Sequence, residues 1–420
     1  MTADRDMPST GRVASAILWT GGVVFLLGSS LYLLTPTLSG TNLIAAIAFP
    51  FVCWSVLVSR PREGGLAAIA AFALLFVLAL IAAAAHPEPE NFRLVRGVIA
   101  AMVGTFGAAW FVRRDPALTV RVVKSVLVLA AAAAALQGTF LLFGIGLDPR
   151  LEEQILEVLS GGILTIGLPS IFGNANNFSV FAGLVILFFG VRSERIGLGW
   201  RLLALLCVLA SGSRTVLVLS FAWLAVELVR RRGVRGVGLA IVLVAVVGSV
   251  VLASGGESGI YALDRTYYAF SDLLTGDVET GSSIDVRGRS HMYFVTHYGN
   301  FVFGSFDASR PFASFRNTGF DDALVRLNPH SFLIELHALF GLFGLAVLLL
   351  FAIALARMLG RRLGVAAGVA AGAVIAFYSS VPSSILQFHA FFVLVTLIVL
   401  SDAPGARERR GASAPEAGDG

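Results

Sequence analysis

The chain has 420 residues, a formal net charge of +5, and 57 % hydrophobic against 14 % charged residues. That balance excludes an ordinary soluble domain, and Lys124 is the only lysine, so the excess charge is arginine. In a membrane protein such an excess reports orientation before it reports any nucleic-acid partner, and none is expected here.

The chain opens with Arg5 and Arg12, then an apolar run from Ile17 to Leu34. The run is long for a signal-peptide core and no A-x-A site follows, so it reads as a retained first span. Apolar stretches near the length of a bilayer core recur from there on. Twelve spans are expected, at 16–35, 41–59, 66–85, 94–112, 122–144, 174–191, 198–211, 214–229, 237–253, 331–356, 364–381 and 385–401. The predicted class is an all-α polytopic membrane protein. It has a cytoplasmic N-terminus (1–15), one transmembrane unit (16–401) and a small, charged cytoplasmic tail (402–420) expected to be disordered. Cys53 and Cys207 both fall inside apolar runs, which offers neither a disulfide framework nor a thiolate metal site.

The connections alternate in charge. With these spans, 21 basic residues fall on one side and 10 on the other. The positive-inside rule then places both termini in the cytoplasm. One stretch tests the count. Read as a single span, 202–229 would carry Arg214 near its middle, at a cost of ~2.5–3.5 kcal/mol. A tight outward turn at Ser211-Gly212-Ser213-Arg214 avoids that cost and leaves two short helices.

Two outward loops exceed simple connectors, at 145–173 and 254–329. In the first, Leu151, Ile155, Val158 and Leu159 follow helical spacing with acids between them, which suits a helix on the membrane surface. It ends in Gly173-Asn174-Ala175-Asn176-Asn177, a polar cap on the next span. The second loop ends in Asn328-Pro329-His330-Ser331-Phe332, read as a helix start with Asn328 as cap and Pro329 at the first helical position. His330 then lies in the first turn, where the helix end disfavours imidazolium and favours an anion nearby.

Ionisable groups are scarce within the spans and gather on the outer side, which points to a site at the extracytoplasmic surface rather than a path across the membrane. Arg214 follows Ser-Gly-Ser and opens a helix, so backbone N–H groups and a guanidinium share one space. That suits a phosphate; an arginine reaching lipid headgroups would look the same. Arg287 and Arg289 suit bidentate phosphate recognition or, equally, headgroups. Arg265 stands beside Asp264, a ready ion-pair partner. His337 reads as a packing histidine, and Glu335 as a group that orients a neighbour or pairs an arginine.

Several of these features together resemble the O-antigen ligase and O-antigen polymerase superfamily of bacterial membrane glycosyltransferases. They are Gly173 to Asn177 opening a span, Ser213-Arg214-Thr215 joining two spans, and Arg289 three residues before Tyr293. After these come Asn300-Phe301-Val302-Phe303-Gly304, Asn328 to Phe332, Glu335, and Leu339-Phe340-Gly341-Leu342-Phe343-Gly344. The resemblance covers roughly residues 165 to 400. Tyr293 stands where the family often has tryptophan, and Gly304-Ser305-Phe306 where Gly-x-Gly is usual, so Arg287 and Arg289 both stay in view for one role. The resemblance implies transfer of a glycan from a polyprenyl diphosphate to a sugar hydroxyl, without metal or cofactor, on the outer face of the membrane. Arg214 and Arg289, with Arg287 and Arg265 behind them, would hold the diphosphate. His330 would be the base, with Glu335, Asn174 and Asn177 in support. The acceptor would be a glycan or a lipid-linked glycan. Two other classes fit a polytopic chain of this composition, a transporter or lipid flippase and a non-catalytic envelope scaffold.

Overall fold

The structure is a computed structural model. It describes residues 19–23, 26, 65–143, 167–168, 170–172, 174–192, 196–257, 263–264, 266–268, 271, 275, 301–308, 314–316, 324–326, 331–382, 386 and 388–400. Ten α-helices have both ends within these residues. They are α1 (Gly65–Ala85), α2 (Pro89–Arg114), α3 (Pro116–Leu142), α4 (Ala175–Val191), α5 (Leu198–Ser211), α6 (Arg214–Arg232), α7 (Val234–Ala253), α8 (Phe332–Leu363), α9 (Val365–Tyr378) and α10 (His389–Leu400). Two three-residue strands, β1 (Ser314–Arg316) and β2 (Leu324–Arg326), pair antiparallel with Ser314 opposite Arg326. They are the one departure from an all-helical chain among the described residues.

This is a helical membrane protein. Five helices, α1, α2, α3, α7 and α8, are long and apolar enough to cross a bilayer, and α4, α5, α9 and α10 are shorter apolar helices. The first two predicted spans and the surface helix expected in 145–166 lie outside the described residues, apart from a few helical residues near 19–26.

The helix ends follow local chemistry. The charged connection expected between α2 and α3 shrinks to one residue. Asp115 ends α2 and caps α3, its carboxylate accepting from Leu118 N–H at 2.8 Å, with Pro116 at the first helical position. Arg121 and Lys124 therefore lie inside α3, and Lys124 stands over the Trp200 ring at 4.9 Å. Three reversals turn on glycines with positive φ. Gly233 joins α6 to α7, Gly364 joins α8 to α9, and Gly341 breaks α8 from within. Each is followed by a second glycine, Gly236, Gly368 or Gly344, whose missing side chain lets the new helix pack on the backbone of the old one.

The break at Gly341 changes the reading of the span expected at 331–356. Phe332 and Phe351 have ring centroids 6.4 Å apart. In a straight helix nineteen residues would separate them by about 28 Å. The first part of α8 therefore folds back along the second. It also begins later than expected, with Ser331 in extended conformation at the N-cap. The first turn therefore begins after His330, which lies outside the described residues.

The core is built on α4, whose residues from Phe178 to Val191 are all buried. A ring of aromatics ties it to its neighbours. Phe172 meets Phe178, Phe181 and Phe388, while Phe72, Phe332 and Phe392 join α1, α8 and α10. By contrast, α7 leaves Val234, Ile241, Val242, Val244 and Leu252 exposed, an apolar surface that suits lipid.

Candidate functional site

The residues singled out at 174, 177 and 214 come together through the α5–α6 turn. Gly212 takes the left-handed conformation at φ 73° and ends α5, and Ser213 precedes α6. Arg201 Nη1 then reaches Glu227 Oε1 at 2.8 Å across the hairpin. One continuous helix would hold those residues about 39 Å apart, so 202–229 is two antiparallel helices.

α6 runs parallel to α4. Gly183 packs against Val216, and Gly190 against Trp223, the same offset of 33 residues. That register sets Arg214 level with Phe181, about one turn below Asn177. Two helix N-termini thus point the same way at one end of the bundle, with the half-buried Arg214 opening the second. Asn174 caps the first, its Oδ1 accepting from Asn176 N–H at 2.8 Å. Aligned N–H groups and a guanidinium make that end electropositive.

A segment that sequence reasoning passed over shapes this end. Leu168 N–H donates to Ala210 C=O at 2.9 Å, and Gly167 presses on Ser211 C=O and Ala175. Gln137 of α3 grips Ser170 by its main chain, donating to Ser170 C=O at 3.0 Å and accepting from Ser170 N–H at 2.8 Å. No local signal reveals a pairing between residues 33 apart.

Glu335 is 3 % exposed and lies in the first turn of α8. The reversed part of α8 is held by the end of the second long loop. Leu342 N–H donates to Val302 C=O at 2.9 Å, Ser305 N–H to Ala338 C=O at 3.0 Å and Phe306 N–H to Leu339 C=O at 2.8 Å. These bonds satisfy backbone groups freed by the break. Gly304 and Gly341 meet backbone to backbone, so the two glycine motifs of the sequence are halves of one joint. Asn91, wholly buried at the start of α2, anchors the loop. It donates to Asp307 Oδ1 at 3.3 Å and to His86 C=O at 2.9 Å, and accepts from Ala308 N–H at 2.8 Å. His337 faces Phe301 edge-on at 4.7 Å, in keeping with a packing role. Arg265, Arg287, Arg289 and His330 lie outside the described residues.

No known family's sequence profile matches the chain, and no curated protein matches it.

The opposite end of the bundle carries a second charge cluster. Glu227, 2 % exposed, is paired by Arg201 and by Arg231 Nε at 2.7 Å. Arg201, Arg230 and Arg231 donate to the carbonyls of Phe189, Gly190 and Arg192. Those carbonyls end α4, where cations are favoured. This cluster ties three helix ends together. Of the polar residues a transport path would use, His389, Ser379 and Ser380 are engaged by main-chain carbonyls, and Ser383, Ser384 and Gln387 lie outside the described residues. The His389 ring is bonded to Ala100 C=O at 3.0 Å, and Ser379 and Ser380 donate to carbonyls of their own helix.

Proposed function

We propose that this protein is a membrane glycosyltransferase of the O-antigen ligase and polymerase kind, acting on a polyprenyl-diphosphate-linked glycan at the outer face of a bacterial plasma membrane. On this reading about twelve spans cross the bilayer, both termini are cytoplasmic, and the Arg201–Glu227–Arg231 end faces the cytoplasm. The observation that carries the reading is Arg214 at the head of α6, about 10 Å along the axis from the parallel, Asn174-capped head of α4. As the glycosidic bond breaks, charge develops on the diphosphate leaving group. Fixed N–H dipoles and a guanidinium stabilise that charge without reorganising. Arg289, Arg287 and Arg265 are the loop arginines that would complete the clamp. His330, which precedes the α8 N-cap residue in sequence, would take the proton of the acceptor hydroxyl. The nucleophile is that hydroxyl oxygen, the bond broken is between the anomeric carbon and the diphosphate oxygen, and the polyprenyl diphosphate leaves with the electron pair.

The test is the lipid-linked glycan pool of a deletion strain. Accumulation of repeat units or unattached chains on the outer leaflet supports a transferase. Accumulation on the inner leaflet would make the protein a flippase, and an unchanged pool would leave it a scaffold.

A further inference from the structure

We infer that Gln137 and Ser170 form a latch that sets the position of Arg214, making Gln137 a positioning residue for diphosphate recognition. The inference rests on the reading of Arg214 as a diphosphate ligand. Ser170 is a non-glycine residue at φ 52°, buried completely, a conformation that persists only where the surroundings dictate it. Three hydrogen bonds do so here. Gln137 takes both main-chain groups of Ser170, and Ser170 Oγ donates to Ala130 C=O at 2.6 Å.

What the latch holds is the wall of the candidate site. Two residues before Ser170, Leu168 is bonded to Ala210, and Gly167 presses on Ser211, three residues ahead of Arg214. Two residues after it, Phe172 stacks on Phe178 and lies tilted against Phe181, the residue level with Arg214. Asn174 follows as the cap of α4. The latch thus links α3 to both helix heads through one short segment. A hydrophobic side chain at position 137 could fill the same space but could grip neither group of Ser170.

The experiment uses full-length protein in detergent, with farnesyl diphosphate as the probe and direct binding as the readout, beside the thermal midpoint without ligand. Gln137→Met is expected to bind about tenfold more weakly, since two part-buried hydrogen bonds are lost and the Arg214 turn is released. Gln137→Glu, which keeps the acceptor for Ser170 N–H and loses the donor, is the milder variant should Gln137→Met not fold, and should fall between. In the double variant with Arg214→Ala, the Gln137 change is expected to add nothing. A lower thermal midpoint with wild-type affinity in Gln137→Met or Gln137→Glu would overturn the latch and leave the diphosphate reading standing. Wild-type affinity in Arg214→Ala would overturn both.

Discussion

Arg214 and His337 show how position decides what a polar side chain does. Arg214 opens a helix beside another helix head, so its planar fork and the surrounding N–H groups can engage one anion together. An ammonium cannot reproduce that fork. Arg214→Lys is therefore expected to lose nearly as much transfer as Arg214→Ala, measured as product per correctly inserted molecule. His337 presents the opposite case. Its ring packs against Phe301, and its Nε2 is buried without a hydrogen-bond partner among the described residues. Burying such a nitrogen is unfavourable, and a phenyl ring keeps the edge-on contact. His337→Phe is expected to match or raise the thermal midpoint and to retain transfer activity. If His330 is the base, His330→Ala should instead fall by ~10²–10⁴-fold in turnover while keeping its affinity for the lipid-linked donor. Wild-type turnover in that variant would remove it from the mechanism.

Helices here are joined and broken by glycine, and the joints differ in what they tolerate. A Cβ on Gly341 would meet Val302 C=O and Gly304 N–H, on a backbone at φ 56°. That positive-φ conformation, with ψ at −134°, is essentially restricted to glycine and alone costs an L side chain ~1–3 kcal/mol, before the clash with main chain that cannot rotate away. Gly341→Ala and Gly304→Ala are both expected to lose most of the folded protein in a membrane-extraction and gel-filtration assay. A methyl group on Gly248 of α7 would meet nothing within 4 Å, so Gly248→Ala should be neutral or stabilising by ~0.5–1 kcal/mol. The charged clasp at the other end should also be costly to open. Glu227→Gln leaves Arg201 and Arg231 without their shared counter-charge, and because these side chains keep 16 % and 33 % exposure the loss should fall below the ~3–5 kcal/mol of a fully buried pair. Pairing it with Arg201→Ala should cost less than the sum of the two, because they share one interaction.

Considered as a whole, the molecule has two unlike ends. One collects the Asp115 turn, the Glu227 clasp and the Gly233 and Gly364 corners; the other collects the turn at 86–88, the Ser170 segment, the α5–α6 turn and the loop at 301–308. On the proposed orientation, which rests on the arginine asymmetry, the first end faces the cytoplasm. In a variant lacking Cys53 and Cys207, a cysteine replacing Ser213 should react with an impermeant thiol reagent applied from outside. One replacing Val234, which is 89 % exposed beside the Gly233 corner, should react only after the membrane is opened. The reverse pattern would place the candidate site in the cytoplasm and remove the proposed donor from its reach.

Hydropathy and charge made much of this legible. Helix class, membrane residence, the Asn174 cap and the turn at Gly212 are local properties, because each depends on residues within a few positions of one another. The break in α8 was not legible. Leu339 to Gly344 reads as an unbroken apolar run, and only the backbone of residues 302–304, arriving from a distant loop, makes a reversal at Gly341 favourable. The same holds for Gln137 with Ser170 and Asn91 with Asp307, pairs 33 and 216 residues apart. A hydrogen bond between distant residues leaves no periodicity or spacing in the chain, since its geometry exists only after the helices between have packed.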